Sequence, residues 1–187
     1  VTSIDWRRRT INVVEHAGAG RSRWSGSAPD LGYELVQSVR QVLLGEEPPV
    51  ELSRRAIYAL NRVRAERATD VDASGTVIQR GSDLDLWWTF AGTKANNSLA
   101  SALDANGAEA RSNAESVTLR HGDALLLRDL ATSLINGSVH PSVDQAVLDG
   151  LKFSAALPVD LAVRTLAERG TDSGRALDTI RSSLTIR

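Results

Sequence analysis

The residues whose types and spacing could do chemistry begin in the stretch DLWWTFAGTKANNSLASALDANG, residues 85–107. Gly92-Thr93-Lys94 at the start of a helical pattern suggests an anion site, because helix N-termini attract negative charge. A phosphate-binding P-loop, however, needs G-x-x-x-x-G-K-[ST], and Trp87 stands where its first glycine belongs. Gly92 then reads as a tight turn and Thr93 as the helix N-cap. Lys94 in the first turn opposes the helix dipole at small cost, and an anion there would offset it.

Strand alternation assigns the two adjacent tryptophans to opposite faces. Leu84, Leu86, Trp88 and Phe90 share an apolar face and read as core, whereas Asp83, Asp85, Trp87 and Thr89 share a polar one. Trp87 on that face could stack on a base. Alternatively, later helices cover it, since a sheet between helices is buried on both sides.

Other constellations give less. His16, His121 and His140 lie far apart with no H-x-x-x-H spacing, which argues against a metal site. Asp70 with Asp72, and Asp83 with Asp85, form carboxylate pairs, but at turn or strand edges where Asp is ordinary. No Gly-x-Ser-x-Gly elbow supplies an acyl-transfer nucleophile. The residues therefore point to no catalytic apparatus. Arg7, Arg8, Arg9, Arg21 and Arg23, with Trp6 and Trp24 among them, compose a basic patch suited to phosphate contacts and base stacking, or simply a solvated hairpin surface.

The elements that must position these groups follow from the pattern. Ile11 to Glu15, a turn around Gly18 and Gly20, and a return to Trp24 read as a hairpin. Asp30 is a plausible N-cap for a helix with Leu31, Leu35, Val39, Val42 and Leu43 on one face, stopped at Gly45. Ser53 opens a second helix with Ala56, Ile57, Leu60 and Val63 on its buried face and Arg54, Arg55, Arg62, Arg64 and Arg67 opposite. Strands are expected at 76–80, 84–90 and 116–120, with a helix at about 94–103 between the last two. Asp123 caps an apolar helix containing Leu125, Leu126, Leu127, Leu130, Leu134 and Ile135, stopped by Gly137. Only helices are expected after that, starting at Pro141, at Pro158 and after Asp172. The fold class is α+β: a small mixed or antiparallel sheet within residues of about 11 to 120, packed with helices and followed by a helical C-terminal part. The chain divides into a hairpin and helices (1–68), a strand–helix core (76–136) and a helical tail (141–187), all within one domain.

Composition sets the outer bounds. The 187 residues contain no Cys, which excludes disulfides and Cys-ligated zinc, and no run of 18 apolar residues that would span a membrane. A formal net charge of −1 gives no global pull on nucleic acid. Residues 1–64 nevertheless hold 10 Lys/Arg against 7 Asp/Glu, leaving 12 against 16 for the remainder. The absence of Met fits a piece of a longer protein.

Three passages resemble the C-terminal accessory region of DEAD/DEAH-box superfamily 2 helicases of the Lhr-like kind. ELVQSVRQVLLGEEPPVELSRRAIYALNRVRAE is similar to a helical segment of that region, and LWWTFAGTKANNSLASAL to its strand–turn–helix. LKFSAALPVDLAVRTLAERGTD is similar to its terminal segment, and the opening SIDWRRRTINVVEHAGAGRSRWSG fits the preceding hairpin. The resemblance covers residues from about 4 to 175. It implies the non-catalytic end of an ATP-dependent helicase, with ATP and Mg held by motor domains outside this chain and no cofactor within it. The partners it implies are nucleic acid (DNA ahead of RNA) and the helicase's own motor, in the cytoplasm and away from membranes. Trp87 and Lys94 are the expected nucleic-acid contacts, with Arg7, Arg8, Arg9, Arg21 and Arg23 as phosphate partners. The alternative is a protein-docking module with no nucleic-acid contact.

Overall fold

The computed structural model describes residues 3–5, 7–8, 10–14, 29–120, 127–136, 143, 147–148 and 158–187. Its main sheet has five strands: β3 (Gly75–Gln79), β4 (Leu84–Trp88), β5 (Ala110–Ser112), β6 (Ser116–Arg120) and β7 (Ser183–Ile186), in the order β5-β6-β4-β3-β7. Every pairing is antiparallel except β3 with β7. A separate ribbon pairs β1 (Ser3–Asp5) with β2 (Thr10–Asn12). The helices described are α1 (Tyr33–Leu43), α2 (Arg54–Glu66), α3 (Thr93–Ala105), α4 (Leu127–Ile135), α5 (Val159–Gly170) and α6 (Ser173–Arg181). None of them is long and apolar enough to cross a membrane. This is the expected α+β class.

Both faces of the sheet are covered, which is why β3 carries a run, Thr76-Val77-Ile78, buried throughout. On one face Ile78, Trp87, Val117 and Leu119 pack with Leu99, Ala102 and Leu103 of α3, Leu130 and Leu134 of α4, and Ala176 of α6. The other cluster joins Val36 and Leu43 of α1 to Val71 and Phe90, with Trp88 and Val63 half-buried against it.

Several sequence expectations are corrected here. The chain does not end in helices alone: β7 follows α6 and pairs in parallel with β3, from Gly75 opposite Ser183 to Ile78 opposite Ile186. A Cβ on Gly75 would lie 1.9 Å from the Ser183 carbonyl oxygen, so only glycine admits the strand that closely. The short β5 was likewise unforeseen. The Thr10–Asn12 strand pairs upstream with Ser3–Asp5, whereas the expected turn at Gly18 and Gly20 and the return to Trp24 lie outside the described residues. So do Asp123, Gly137 and Pro141, though Val147 and Leu148 are helical.

In α1 the buried face runs through Val36 (1% exposed) and Leu43, while Leu35 is 55% exposed. Gly45 stops the helix as expected, at φ +111°. Ser53 caps α2 by accepting from the Ala56 N–H at 3.3 Å. Yet α2 buries no residue, and Ile57 on its expected core face is exposed. Asp172 caps α6 through the Arg175 N–H at 3.0 Å, and Pro158 precedes α5, both as the sequence indicates.

Candidate nucleic-acid interface

The turn from Thr89 to Asn97 is the junction where most of these elements meet. β4 cannot run on past Trp88, because the N–H groups of Thr89 and Phe90 both turn to the Glu115 carbonyl, at 3.1 and 2.8 Å. Phe90 adopts φ +50°, an uncommon region for a bulky residue that costs roughly 1–3 kcal/mol. It is held there by burial and by Gln37 Nε2, which donates to its carbonyl at 2.9 Å.

Gly92 follows at φ +84°, where a Cβ would lie 2.9 Å from the Tyr33 nitrogen and 3.0 Å from the Leu31 oxygen. Gly92 is itself the N-cap of α3, correcting the assignment to Thr93. Thr93 instead forms a reciprocal pair with Leu31. Its N–H donates to the Leu31 carbonyl and its hydroxyl accepts from the Leu31 N–H, both at 3.0 Å.

Asn96 ties the turn together. Fully buried, it accepts from the Thr89 hydroxyl at 2.6 Å and donates to the Asn113 carbonyl at 2.8 Å. Asn97 donates to the Gly170 carbonyl at 3.1 Å, and the Asp172 N–H reaches the Ser98 hydroxyl at 3.0 Å and the Lys94 carbonyl at 3.3 Å.

Alternation holds in β4, but the faces are reversed from expectation. Asp85, Trp87 and Thr89 are buried, while Leu84 is exposed and Leu86 and Trp88 half-buried. Trp87 is 2% exposed, enclosed by the apolar side chains of α3 and α4, so it presents no stacking face to a ligand. The polar neighbours that seemed to mark a wet face are satisfied inside; Asp85, for instance, accepts from the Gly81 N–H at 3.3 Å. Neither indole N–H, of Trp87 or of Trp88, has an acceptor among the described residues.

Trp88 lies under Arg67, whose guanidinium carbon is 4.9 Å from its ring centroid and 5.8 Å from that of Phe90. Arg67 also donates to Asp70 at 2.9 Å and Glu115 at 2.8 Å. Partial burial opposes its charge, but those carboxylates hold its pKa above the usual arginine value. Arg64 is committed too, to the carbonyls of Val42 and Glu46 at 2.8 Å each. These two arginines are therefore structural, and Arg54, Arg55 and Arg62 remain as the exposed basic side of α2.

Lys94 is exposed on the rim of a cleft of about 490 Å³ at the start of α3. Asp30, Tyr33, Glu34, Asp172 and Arg175 also line it. Two cations thus face three carboxylates. The Arg175 guanidinium lies 4.3 Å over the Tyr33 ring and 3.7 Å from the Glu34 carboxylate. Arg7 and Arg8 are exposed in the turn joining β1 to β2, where Asp5 Oδ1 accepts from both their N–H groups at 3.0 Å. Arg9, Arg21 and Arg23 lie outside the described residues, as do Trp6, Trp24 and the three histidines.

The structure therefore keeps Lys94 and the Arg7–Arg8 turn accessible, buries Trp87, and places Tyr33 and Arg175 in the cleft with Lys94. No local motif could have found that last pair, because α1 and α6 are brought together only by the fold. Among the described residues no group of carboxylates or histidines could hold a metal ion. No protein-family model, curated protein or solved structure matches the chain. The helicase likeness accordingly rests on the quoted passages alone.

Proposed function

We propose that this chain is a non-catalytic accessory domain of a cytoplasmic, ATP-dependent, Lhr-like DEAD/DEAH-box helicase, and that it helps to hold or orient nucleic acid, DNA ahead of RNA. ATP and Mg belong to the motor domains of the parent protein, which are also its partners. One observation carries the reading. Residues from each of the three passages that resemble the family meet at the Thr89–Asn97 turn: Gln37 bonds Phe90, Asn97 bonds Gly170, and Asp172 bonds Lys94 and Ser98. Passages scattered along a chain but joined at one strained turn behave as a single unit. Of the cations assigned to contact nucleic acid, Lys94 in that turn and Arg7 and Arg8 on the ribbon are accessible.

The test is fluorescence anisotropy of labelled single-stranded and duplex oligonucleotides, titrated with the chain from about 50 to 200 mM salt. Affinity is expected to fall steeply as salt rises. Replacing Arg7 and Arg8 by Ala should flatten the log–log slope by about 0.7–0.9 for each phosphate no longer neutralised. No binding at low salt would overturn the reading.

A second reading, a docking module for the motor or another protein, is favoured by Leu35, Val50, Ile57 and Tyr58. These large side chains of α1, α2 and the link between them are exposed, Tyr58 to 74%. Binding to separately produced motor domains, without nucleic-acid binding, would establish it.

A further inference from the structure

We infer that Tyr33 is the stacking platform for one unpaired base of a single strand, and that Arg175 is its displaceable cover. This rests on the nucleic-acid reading above and names the residue that does what Trp87, being buried, does not. The cleft of about 490 Å³ has the size of a small-ligand site, which typically spans about 300–1,000 Å³. Its charges nearly cancel, Lys94 and Arg175 standing against Asp30, Glu34 and Asp172, so it holds no phosphate by field alone. Affinity must then come from an apolar or π surface, and the ring in the cleft is that of Tyr33.

That ring face is occupied by Arg175, but loosely. The arginine and its carboxylate partner Glu34 are 43% and 82% exposed at a separation of 3.7 Å, a weak ion pair. Arg67, the other arginine over aromatic rings among the described residues, differs because two carboxylates at 2.8 and 2.9 Å clamp it in place. A base sliding onto Tyr33 exchanges a cation–π contact for a stacked one and frees the guanidinium to pair with the adjoining phosphate. Arg175 and Tyr33 also line a second, polar cavity of about 120 Å³ beside Thr76 and Thr89, which gives the displaced side chain somewhere to turn. Bases in a duplex are already stacked and cannot use the platform.

The experiment measures binding of a labelled single-stranded DNA of about 16 nucleotides to the whole chain and to its Tyr33→Phe and Tyr33→Leu variants. Tyr33→Phe should bind like the parent, and Tyr33→Leu about 5- to 150-fold more weakly. Affinity for a duplex of the same sequence should not change. Ultraviolet crosslinking of a 4-thiothymidine oligonucleotide to the unmodified chain should map to Tyr33, and this decides the matter even if Tyr33→Leu fails to fold. Equal binding by a folded Tyr33→Leu, or crosslinks that avoid Tyr33, would overturn the inference while leaving the nucleic-acid reading intact. Absence of binding to any oligonucleotide would remove both.

Discussion

α2 and α3 are each 13 residues long, yet α3 buries seven side chains and α2 buries none. Their compositions are opposite to what that difference suggests. α2 carries four Arg and three Ala, strong helix formers, whereas α3 sets Thr, Asp, two Asn and two Ser, which are poorer ones, among its four Ala and two Leu. α3 is helical because Leu99, Ala102 and Leu103 are driven against the sheet and Asn96 is satisfied inside it. α2 stands on propensity, one serine cap and arginine clamps at its C-terminal end. Two equally long helices are thus secured by different physics, apolar burial in one and charged hydrogen bonds in the other.

The sharpest way to break this contrast is Leu99→Ala. Leu99 is fully buried, so the change should cost about 2–5 kcal/mol of stability, read by urea denaturation with an unchanged m-value. Arg67→Ala should come next, at about 1.5–3 kcal/mol, because it leaves Asp70 and Glu115 without their shared donor and uncovers Trp88. Hydrogen exchange should show that α2 bears most of the loss of protection. Arg67→Lys should not restore it, since an ammonium cannot hold two carboxylates in the guanidinium's fork.

The smallest effect is one of pH, at the link between α2 and β3. The hydroxyl and N–H of Ser74, then Thr185 and the charge of Arg187, hold the Asp72 carboxyl below its usual pKa. A depressed folded-state pKa contributes stability that is complete above the unfolded value and is lost as pH falls through the folded one. The Tm difference between the parent and Asp72→Asn should therefore be largest near neutrality and shrink as pH falls below the ordinary carboxylate range. A constant difference would show that the carboxylate is not what ties β7 to this turn.

Much of the frame was legible in the sequence: the start of β4, the Gly45 stop, and the Ser53 and Asp172 caps are local signals read by local rules. The face of β4 was not. Asp85 and Thr89 look like solvent-facing residues until their partners are known: the Gly81 N–H, which donates to Asp85, and the Asn96 amide oxygen, which accepts from the Thr89 hydroxyl. The same blindness hid the cleft beside Lys94. Lys94 was visible because it stands at a helix start, but Tyr33 and Arg175 belong to helices joined only through tertiary contacts. β5 and β7 escaped because three or four residues are too few to display alternation, and the partner of β7, β3, lies far upstream in the sequence.

The parallel pairing of β7 with β3 has a consequence during synthesis. Thr76 and Ser183, in contact across that pair, are separated by 107 residues. At about 5–20 residues per second, β3 emerges roughly 5–20 s before the strand that covers its edge. For that interval Val77 and Ile78 belong to an open ladder able to recruit any extended segment nearby. The nascent chain thus carries an unpaired β3 edge, open to misassembly, until β7 arrives.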